Sequence, residues 1–361
     1  ITDANIEAAS DADTAVYVIA RNSGEGADRK NEKGDYQLTD IEYANLQKLG
    51  ANFENVVVVL NVGGIVDTKF FHEIVGLDSL LLMSQAGMEG GNALADVISG
   101  KVTPSGKLTD TWAVDYEDYP SSDTFSSNDG NTDTETYTDD IYVGYRYFDS
   151  FGVEPAYEFG FGLSYTTFDT EINYVQADEQ TVTVNATITN TGDTYSGKEV
   201  LEVYFSAPGG KVEKPYQELA GYAKTDELAP GAQQTLTVSF PVTEMSSYDE
   251  DQAAYILERG MYTIQAGNSS RNTVVGGVLN VNKTVVTEQL SHQLALPDDV
   301  ELEPISPNAP AAMSAKAANS ADMQIINLDA SKIETVNNAS PYDDETVATY
   351  RVEGEEIEAN S

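Results

Sequence analysis

The sequence predicts an α/β sandwich with a mostly parallel sheet, followed by an all-β sandwich. In the first part of the chain, continuous apolar runs alternate with helical segments, which is typical of a parallel sheet covered by helices. Further along, short segments alternate apolar and polar residues with a period of two, as antiparallel strands do. Gly192, Gly209, Gly210, Gly231 and Gly260 punctuate these segments at turn positions.

The first predicted domain spans residues 1–167. It opens with a short helix at residues 2–11, capped by Thr2 or Asp3. The run AVYVIA at residues 15–20 predicts a strand that is buried on both faces. The remaining elements are expected at residues 39–49 (helix), 56–60 (strand), 74–83 (apolar run) and 91–99 (helix). Because the order opens with a helix, one interpretation is that a preceding strand is missing and the domain is truncated at its front.

The second predicted domain spans residues 168–282 and contains only strands. Alternating segments occur at residues 181–189, 200–205 and 235–240. Residues 283–361 are rich in Ala, Ser, Asn and Pro, which indicates an acidic linker or tail. Within that tail, residues 323–328 and 346–352 have the residue pattern of short strands.

Composition excludes several classes of function. The chain has 60 acidic and 19 basic residues and a net charge of −41, so nucleic acid and anionic lipid are repelled. A neutral substrate such as a sugar is compatible with this charge. Cysteine is absent, which excludes disulfides and cysteine nucleophiles. No apolar run is long enough for membrane insertion. His72 and His292 are isolated, so we expect neither a metal site nor a cofactor.

The segment NSGEGADR at residues 22–29 is the strongest candidate for chemistry. It directly follows a predicted strand, and ligands bind at the carboxyl ends of strands in open α/β sheets. The glycines on either side of Glu25 leave its carboxyl free to project into a cleft and donate a proton there. From these residues alone, the alternative is a surface loop that carries one more acidic residue.

The order of several long motifs resembles family 3 glycoside hydrolases of the β-glucosidase type. The resemblance covers residues 1–282 and joins a C-terminal α/β sandwich domain to a fibronectin type III-like domain. In the first of these domains it rests on SGEGADR, GDYQLTD, VVVVLNVGG, QAGMEGGNALADVISGKVTPSGKLTDTW and DIYVGYRYFDSFGVEPAYEFGFGLSYTTF. In the second it rests on ITNTGDTYSGKEVLEVYFSAP, KPYQELAGYAKTDELAPG and RGMYTIQAGNSS.

This resemblance implies a retaining β-glucosidase that acts on terminal non-reducing β-D-glucosyl residues of oligosaccharides or aryl β-glycosides. The family uses two carboxyl groups, an aspartate nucleophile on a barrel domain and an acid/base on the α/β sandwich. The family's acid/base position corresponds to Glu25. Asp28 and Arg29 are candidate substrate-binding residues, although an Arg–Asp pair that braces the loop is favoured for Arg29. Ala27 departs from the aromatic residue that many relatives carry.

No barrel domain and no Ser-Asp-Trp-type nucleophile motif occur in the sequence, whose only tryptophan is Trp112. The chain alone is therefore expected to be catalytically incomplete, with the barrel before it, after it or on a second chain. A β-xylosidase, another family 3 glycosidase or a phosphorylase, and a noncatalytic module remain alternatives. We expect Trp112, Tyr142, Tyr145 and Tyr147 to pack rather than bind sugar. The localisation stays open, with the tail favouring a secreted or surface bacterial protein.

Overall fold

The structure is a computed structural model that describes residues 1–22, 28–126, 128–131, 133, 135–292, 302–307, 323 and 325–340. Residue contacts divide the chain into two compact units. The first contains Ile1–Tyr137 and Val153–Tyr165, and the second contains Thr138–Gly152 and Thr166–Ser361. The predicted domain boundaries at residues 167 and 282 remain predictions, because a compact unit need not coincide with a domain in sequence.

A parallel sheet forms the centre of the first unit, as the apolar runs predict. Its strand order is β1-β2-β3, and both neighbouring pairs are parallel. The elements of this unit are α1 (Asp3–Ala8), β1 (Thr14–Arg21), α2 (Asp40–Asn52), β2 (Asn55–Val62), α3 (Lys69–Glu73), β3 (Ser79–Leu82), α4 (Gly90–Ile98), β4 (Trp112–Ala113) and β5 (Pro155–Tyr157). The strands β4 and β5 form a separate antiparallel pair.

Helix starts in this unit follow the expected capping chemistry. The Thr2 side chain accepts a hydrogen bond from the backbone N–H of Asn5 at the start of α1. At α2 the Thr39 side chain accepts from the N–H of Glu42, and Glu42 accepts from the N–H of Thr39. This reciprocal pair satisfies N–H groups that have no partner within the helix. The predicted helices at residues 2–11 and 39–49 are therefore confirmed.

The prediction that residues 15–20 are buried on both faces is wrong. Ala15 and Ile19 are buried, whereas Val16 and Val18 are 46% and 48% exposed. The reason is that Val16 and Val18 lie on the face of β1 opposite to Ala15 and Ile19, and this face is not covered to the same extent. The buried residues of β1 pack in one cluster with Leu46 of α2, so only one of its two faces is fully covered.

Among its described residues, the second unit is a β-sandwich with one added α-helix. Its elements are α5 (Tyr145–Phe151), β6 (Phe168–Ala177), β7 (Thr181–Asn190), β8 (Val200–Ser206), β9 (Glu218–Lys224), β10 (Gln233–Pro241), β11 (Ser247–Asp249), β12 (Ala254–Leu257), β13 (Gly260–Gly267), β14 (Thr273–Val281), β15 (Val285–Gln289), β16 (Ile325–Leu328) and β17 (Val336–Asn337). One sheet has the order β10-β7-β6, a second β16-β14-β13-β8-β9, and a smaller one β11-β12-β15-β17.

The period-two pattern produces the core of this sandwich. Along β7, Val182, Val184, Ala186 and Ile188 are fully buried while the residues between them are not. They pack in one cluster with residues of β8, β13 and β14. Alternate side chains of a strand point to opposite faces, so one face of β7 fills the core. The predicted strands at residues 181–189, 200–205 and 235–240 are confirmed.

Part of the segment predicted to be a tail is folded. The strand β16 adds to β14 in parallel, and β17 adds to β15 in parallel. Leu328, Ala330 and Ile333 are buried in the sandwich core, with exposures of 2%, 0% and 7%. The strand predicted at residues 323–328 is thus confirmed, whereas the one at residues 346–352 lies outside the described residues.

Candidate active site

The predicted acid/base, Glu25, lies outside the described residues, but the residues on both sides of it are described. The described residues reach Asn22, directly after β1, and resume at Asp28. Arg21, the last residue of β1, is aligned with Val62 at the end of β2. The flanks of residues 23–27 therefore connect to the carboxyl edge of the parallel sheet, where α/β proteins bind ligands.

Arg21 is the centre of a hydrogen-bond network at this edge. Its Nε donates to the backbone oxygen of Asp35 at 2.9 Å. Its Nη1 donates to the backbone oxygen of Ala20 at 2.9 Å and to Glu42 Oε1 at 2.8 Å. Its Nη2 donates to the backbone oxygen of Gln37 at 3.3 Å and to Glu42 Oε2 at 2.8 Å. A guanidinium has five N–H donors, so this set occupies all of them.

The Arg21–Glu42 ion pair is bidentate and largely shielded from solvent. Side-chain exposure is 7% for Arg21 and 18% for Glu42. Burial acts to raise the pKa of the Glu42 carboxyl, but the hydrogen bonds from Arg21 and Thr39 outweigh it, so the pKa lies below its usual value. Paired, charged groups of this kind form the stronger hydrogen bonds in proteins.

Arg29 is paired with Asp35, which fixes the turn after the predicted acid/base. The Arg29 Nη1 donates to Asp35 Oδ1 at 2.7 Å, and the backbone N–H of Lys30 donates to Asp35 Oδ2 at 2.8 Å. The sequence suggested the adjacent Asp28 as the acid of a bracing pair, whereas the described pair uses Asp35. Asp28 itself is exposed. Substrate binding by Asp28 and Arg29 stays a prediction.

A buried phenol lies in the same turn. Tyr36 is 4% exposed, and its ring contacts Tyr116 edge-on with a centroid distance of 5.2 Å. Burial, together with nearby Tyr119 and acidic side chains, raises the pKa of Tyr36 well above its usual value, so the phenol stays neutral. The Tyr36 backbone oxygen accepts a hydrogen bond of 2.9 Å from the N–H of Asp67, which joins this turn to the segment after β2.

Arg21, Asp35 and Glu42 are not among the residues that the sequence predicted for this site. The spacing Thr39–Glu42 is a capping-box pattern, so Glu42 could have been identified as the partner of the helix start. Arg21 ends a strand that is otherwise apolar, which is an unusual place for a charge in a buried sheet. No comparable sequence pattern indicates the Asp35–Arg29 pair, because the 60 acidic residues of the chain offer many partners for an arginine.

The aromatic residues considered as sugar-stacking groups are packing residues, as predicted. Trp112 is 4% exposed in the core of the first unit, with its ring edge-on to Tyr157. In the second unit, Tyr142 is 1% exposed, and the hydroxyl of Tyr145 accepts a 2.8 Å hydrogen bond from the N–H of Leu219. Tyr147 packs against Phe148 and Phe151.

Within the described ranges, no group of three or more His, Asp or Glu side chains is arranged to hold a metal ion. His72 lies in the last turn of α3, and its ring packs edge-on against that of Phe71. None of the helices in the described part of the chain has the length and apolarity needed to cross a membrane.

Two parts of the chain match known protein families. Residues 1–165 match the glycosyl hydrolase family 3 C-terminal domain, and residues 199–270 match a fibronectin type III-like domain. The chain is 40% identical over 333 residues to β-glucosidase A of Butyrivibrio fibrisolvens, covering 80% of this chain and 40% of that protein. It is 36% identical over 230 residues to an exo-α-(1→6)-L-arabinopyranosidase of Bifidobacterium breve, covering 63% of this chain and 29% of that protein.

A solved β-glucosidase structure also resembles this chain. β-Glucosidase 3B of Thermotoga neapolitana, determined in complex with glucose, superposes with a TM-score of 0.74 at 41% identity. The match covers 79% of this chain and 40% of that protein. The chain thus spans well under half the length of each of these relatives.

Proposed function

This chain belongs to glycoside hydrolase family 3, and we propose that it is the part of a retaining β-glucosidase that supplies the general acid/base, Glu25. The substrate is a terminal non-reducing β-D-glucosyl residue of an oligosaccharide or aryl β-glycoside. One observation carries the proposal: β1 ends at the carboxyl edge of a parallel sheet, and the Ser-Gly-Glu-Gly segment follows it in sequence, in a chain 40% identical to a β-glucosidase over 80% of its length.

In the proposed reaction Glu25 acts twice. It first protonates the glycosidic oxygen while an aspartate attacks the anomeric carbon and forms a glycosyl-enzyme. The resulting Glu25 carboxylate then takes a proton from the water that hydrolyses this intermediate. The nucleophile is expected on a barrel domain outside these 361 residues, so the chain alone is catalytically incomplete. Asp28 and Arg29 follow Glu25 closely enough in sequence to contribute substrate contacts.

A leaving-group series on the full-length polypeptide tests the role of Glu25. Glu25→Gln keeps the size of the side chain but removes its proton. We expect kcat/KM for cellobiose to fall by roughly 10²–10⁴-fold, because a poor leaving group needs protonation. The same constant for 2,4-dinitrophenyl β-D-glucoside should change far less, because this leaving group departs as a stable anion. Near-normal rates on cellobiose would remove Glu25 from the mechanism.

Another family 3 glycosidase activity is the second candidate. The similarity to the arabinopyranosidase of Bifidobacterium breve favours it, because that relative shares the same domain while acting on a different sugar. Comparing p-nitrophenyl β-D-glucoside, β-D-xyloside and α-L-arabinopyranoside separates these activities. Adding inorganic phosphate to the same assay distinguishes a phosphorylase, which would release a sugar phosphate. The intact Ser-Gly-Glu-Gly segment argues against a noncatalytic module.

A further inference from the structure

The chain on both sides of residues 23–27 is tied together by one side chain. Arg21 precedes this segment, while the backbone oxygens of Asp35 and Gln37, which accept hydrogen bonds from Arg21, follow it. The turn that carries them is closed internally, because the Asp35 carboxylate binds both Arg29 and the N–H of Lys30. Arg21 thus links the end of β1 to the turn through which the chain returns.

We propose that Arg21 is a positioning residue for the catalytic acid/base, acting as a clamp that joins the chain before the segment containing Glu25 to the turn after it. This inference rests on the proposed function. Every guanidinium N–H of Arg21 is used by protein acceptors, which leaves none for a substrate hydroxyl. Arg21 therefore acts on the reaction through the placement of Glu25, and no direct sugar contact is involved.

Glu42 completes the clamp. Its carboxylate accepts hydrogen bonds from both terminal nitrogens of Arg21 and from the backbone N–H of Thr39 at the start of α2. Arg21 lies on β1 and Glu42 on α2, so two regular elements set the plane of the guanidinium. Placement of a catalytic group to within about 1 Å can change a rate by roughly 10²-fold, so a loosened clamp has a measurable cost.

Lysine cannot reproduce this arrangement. Its ammonium is a compact charge with three donors, whereas the planar guanidinium reaches acceptors in several directions at once. Arg21→Lys keeps the positive charge opposite Glu42 but cannot hold Asp35, Gln37 and both oxygens of Glu42 together. The substitution therefore tests the geometry of the clamp separately from its charge.

The test compares kcat/KM for two substrates in the full-length polypeptide, because this constant reports the step in which the leaving group departs. For Arg21→Lys we expect kcat/KM on cellobiose to fall by about 10- to 100-fold, and that on 2,4-dinitrophenyl β-D-glucoside to fall by less than about 3-fold. Glu42→Gln should show the same split, meaning a larger loss of kcat/KM on cellobiose than on the dinitrophenyl glucoside. It replaces Arg21→Lys in the test if that variant does not fold. Leu49→Ala is the matched control, since it removes a core residue of α2 and leaves the clamp intact. It should lower thermal stability without any split.

An equal loss on both substrates, or no loss on either, in folded Arg21→Lys would overturn the positioning role. Glu25→Gln is measured in parallel to separate this result from failure of the proposed function. If Glu25→Gln shows the split and Arg21→Lys does not, the clamp is wrong and the acid/base assignment stands. If Glu25→Gln shows no split, the acid/base assignment and the clamp both fall.

Discussion

Glu42 stabilises the fold in two ways at the start of α2. Its carboxylate accepts hydrogen bonds from the backbone N–H of Thr39 and from both terminal nitrogens of Arg21. These bonds favour the ionised carboxyl, and the pKa of Glu42 lies below its usual value despite burial. A carboxyl whose pKa is lowered on folding adds stability above its unfolded pKa and loses that contribution as the pH falls through its folded pKa.

We therefore expect Glu42→Gln to lower the free energy of unfolding near neutral pH by about 1–3 kcal/mol, which is typical of losing a hydrogen bond to a charged group. The difference from wild type should shrink as the pH falls below the ordinary carboxyl value of 4.5. Urea unfolding between about pH 7 and about pH 3 measures this, because the range extends below the ordinary carboxyl pKa. Glu73→Gln, which removes an exposed carboxylate of the same unit, is the control. A difference that stays constant over this range would contradict the assigned cause.

The partner of Arg29 shows what residue-level reasoning from sequence cannot reach. A bracing ion pair is predictable, because an arginine in a polar loop usually finds an acid. The identity of that acid depends on how the chain turns between Asp28 and Gln37. In the structure this turn brings Asp35 to Arg29, whereas the neighbouring Asp28 is exposed.

The strand β16 returns from the predicted tail to extend a sheet of the sandwich. It pairs in parallel with β14, and Leu328 at its end is 2% exposed in the core. This edge addition covers backbone groups of β14 that would otherwise be open to other chains. These four residues of the predicted tail are therefore part of the folded unit.

Leu328→Ala should therefore lower the free energy of unfolding of the second unit by about 2–4 kcal/mol, because it removes buried apolar volume. Ile325→Ala in the same strand is the matched control. Ile325 is 47% exposed, so its truncation should cost less than about 1 kcal/mol. Denaturant unfolding of the 361-residue chain gives both values. Equal, small effects would mean that β16 does not contribute to the core.

Elements with strong periodicity were predictable, and those set by tertiary contacts were not. The alternation in β7 and the capping box of α2 are local signals, and both elements form where expected. The five-residue helix α3 was missed, because KFFHE is too short to show a helical period. The half-exposed face of β1 was also missed, since an apolar run does not reveal whether both faces of a strand are covered.

Across the whole chain, residue contacts join segments that are not contiguous in sequence. Residues Thr138–Gly152 precede the predicted boundary but belong to the second unit. There Asp149 of α5 binds Gln217 and Arg271, and Tyr145 binds the N–H of Leu219. Such contacts join residues 68 to 122 positions apart in sequence, so local sequence patterns do not indicate them.

The Glu25 assignment is the central claim, and the product formed with azide tests it most directly. Glu25→Ala in the full-length polypeptide should accumulate the glycosyl-enzyme on 2,4-dinitrophenyl β-D-glucoside, because the water that must cleave it lacks a base. Azide needs no base, so it should raise kcat and yield β-D-glucosyl azide, which NMR identifies. Formation of α-D-glucosyl azide would identify Glu25 as the nucleophile. A variant with normal turnover and no response to azide would exclude Glu25 from the reaction.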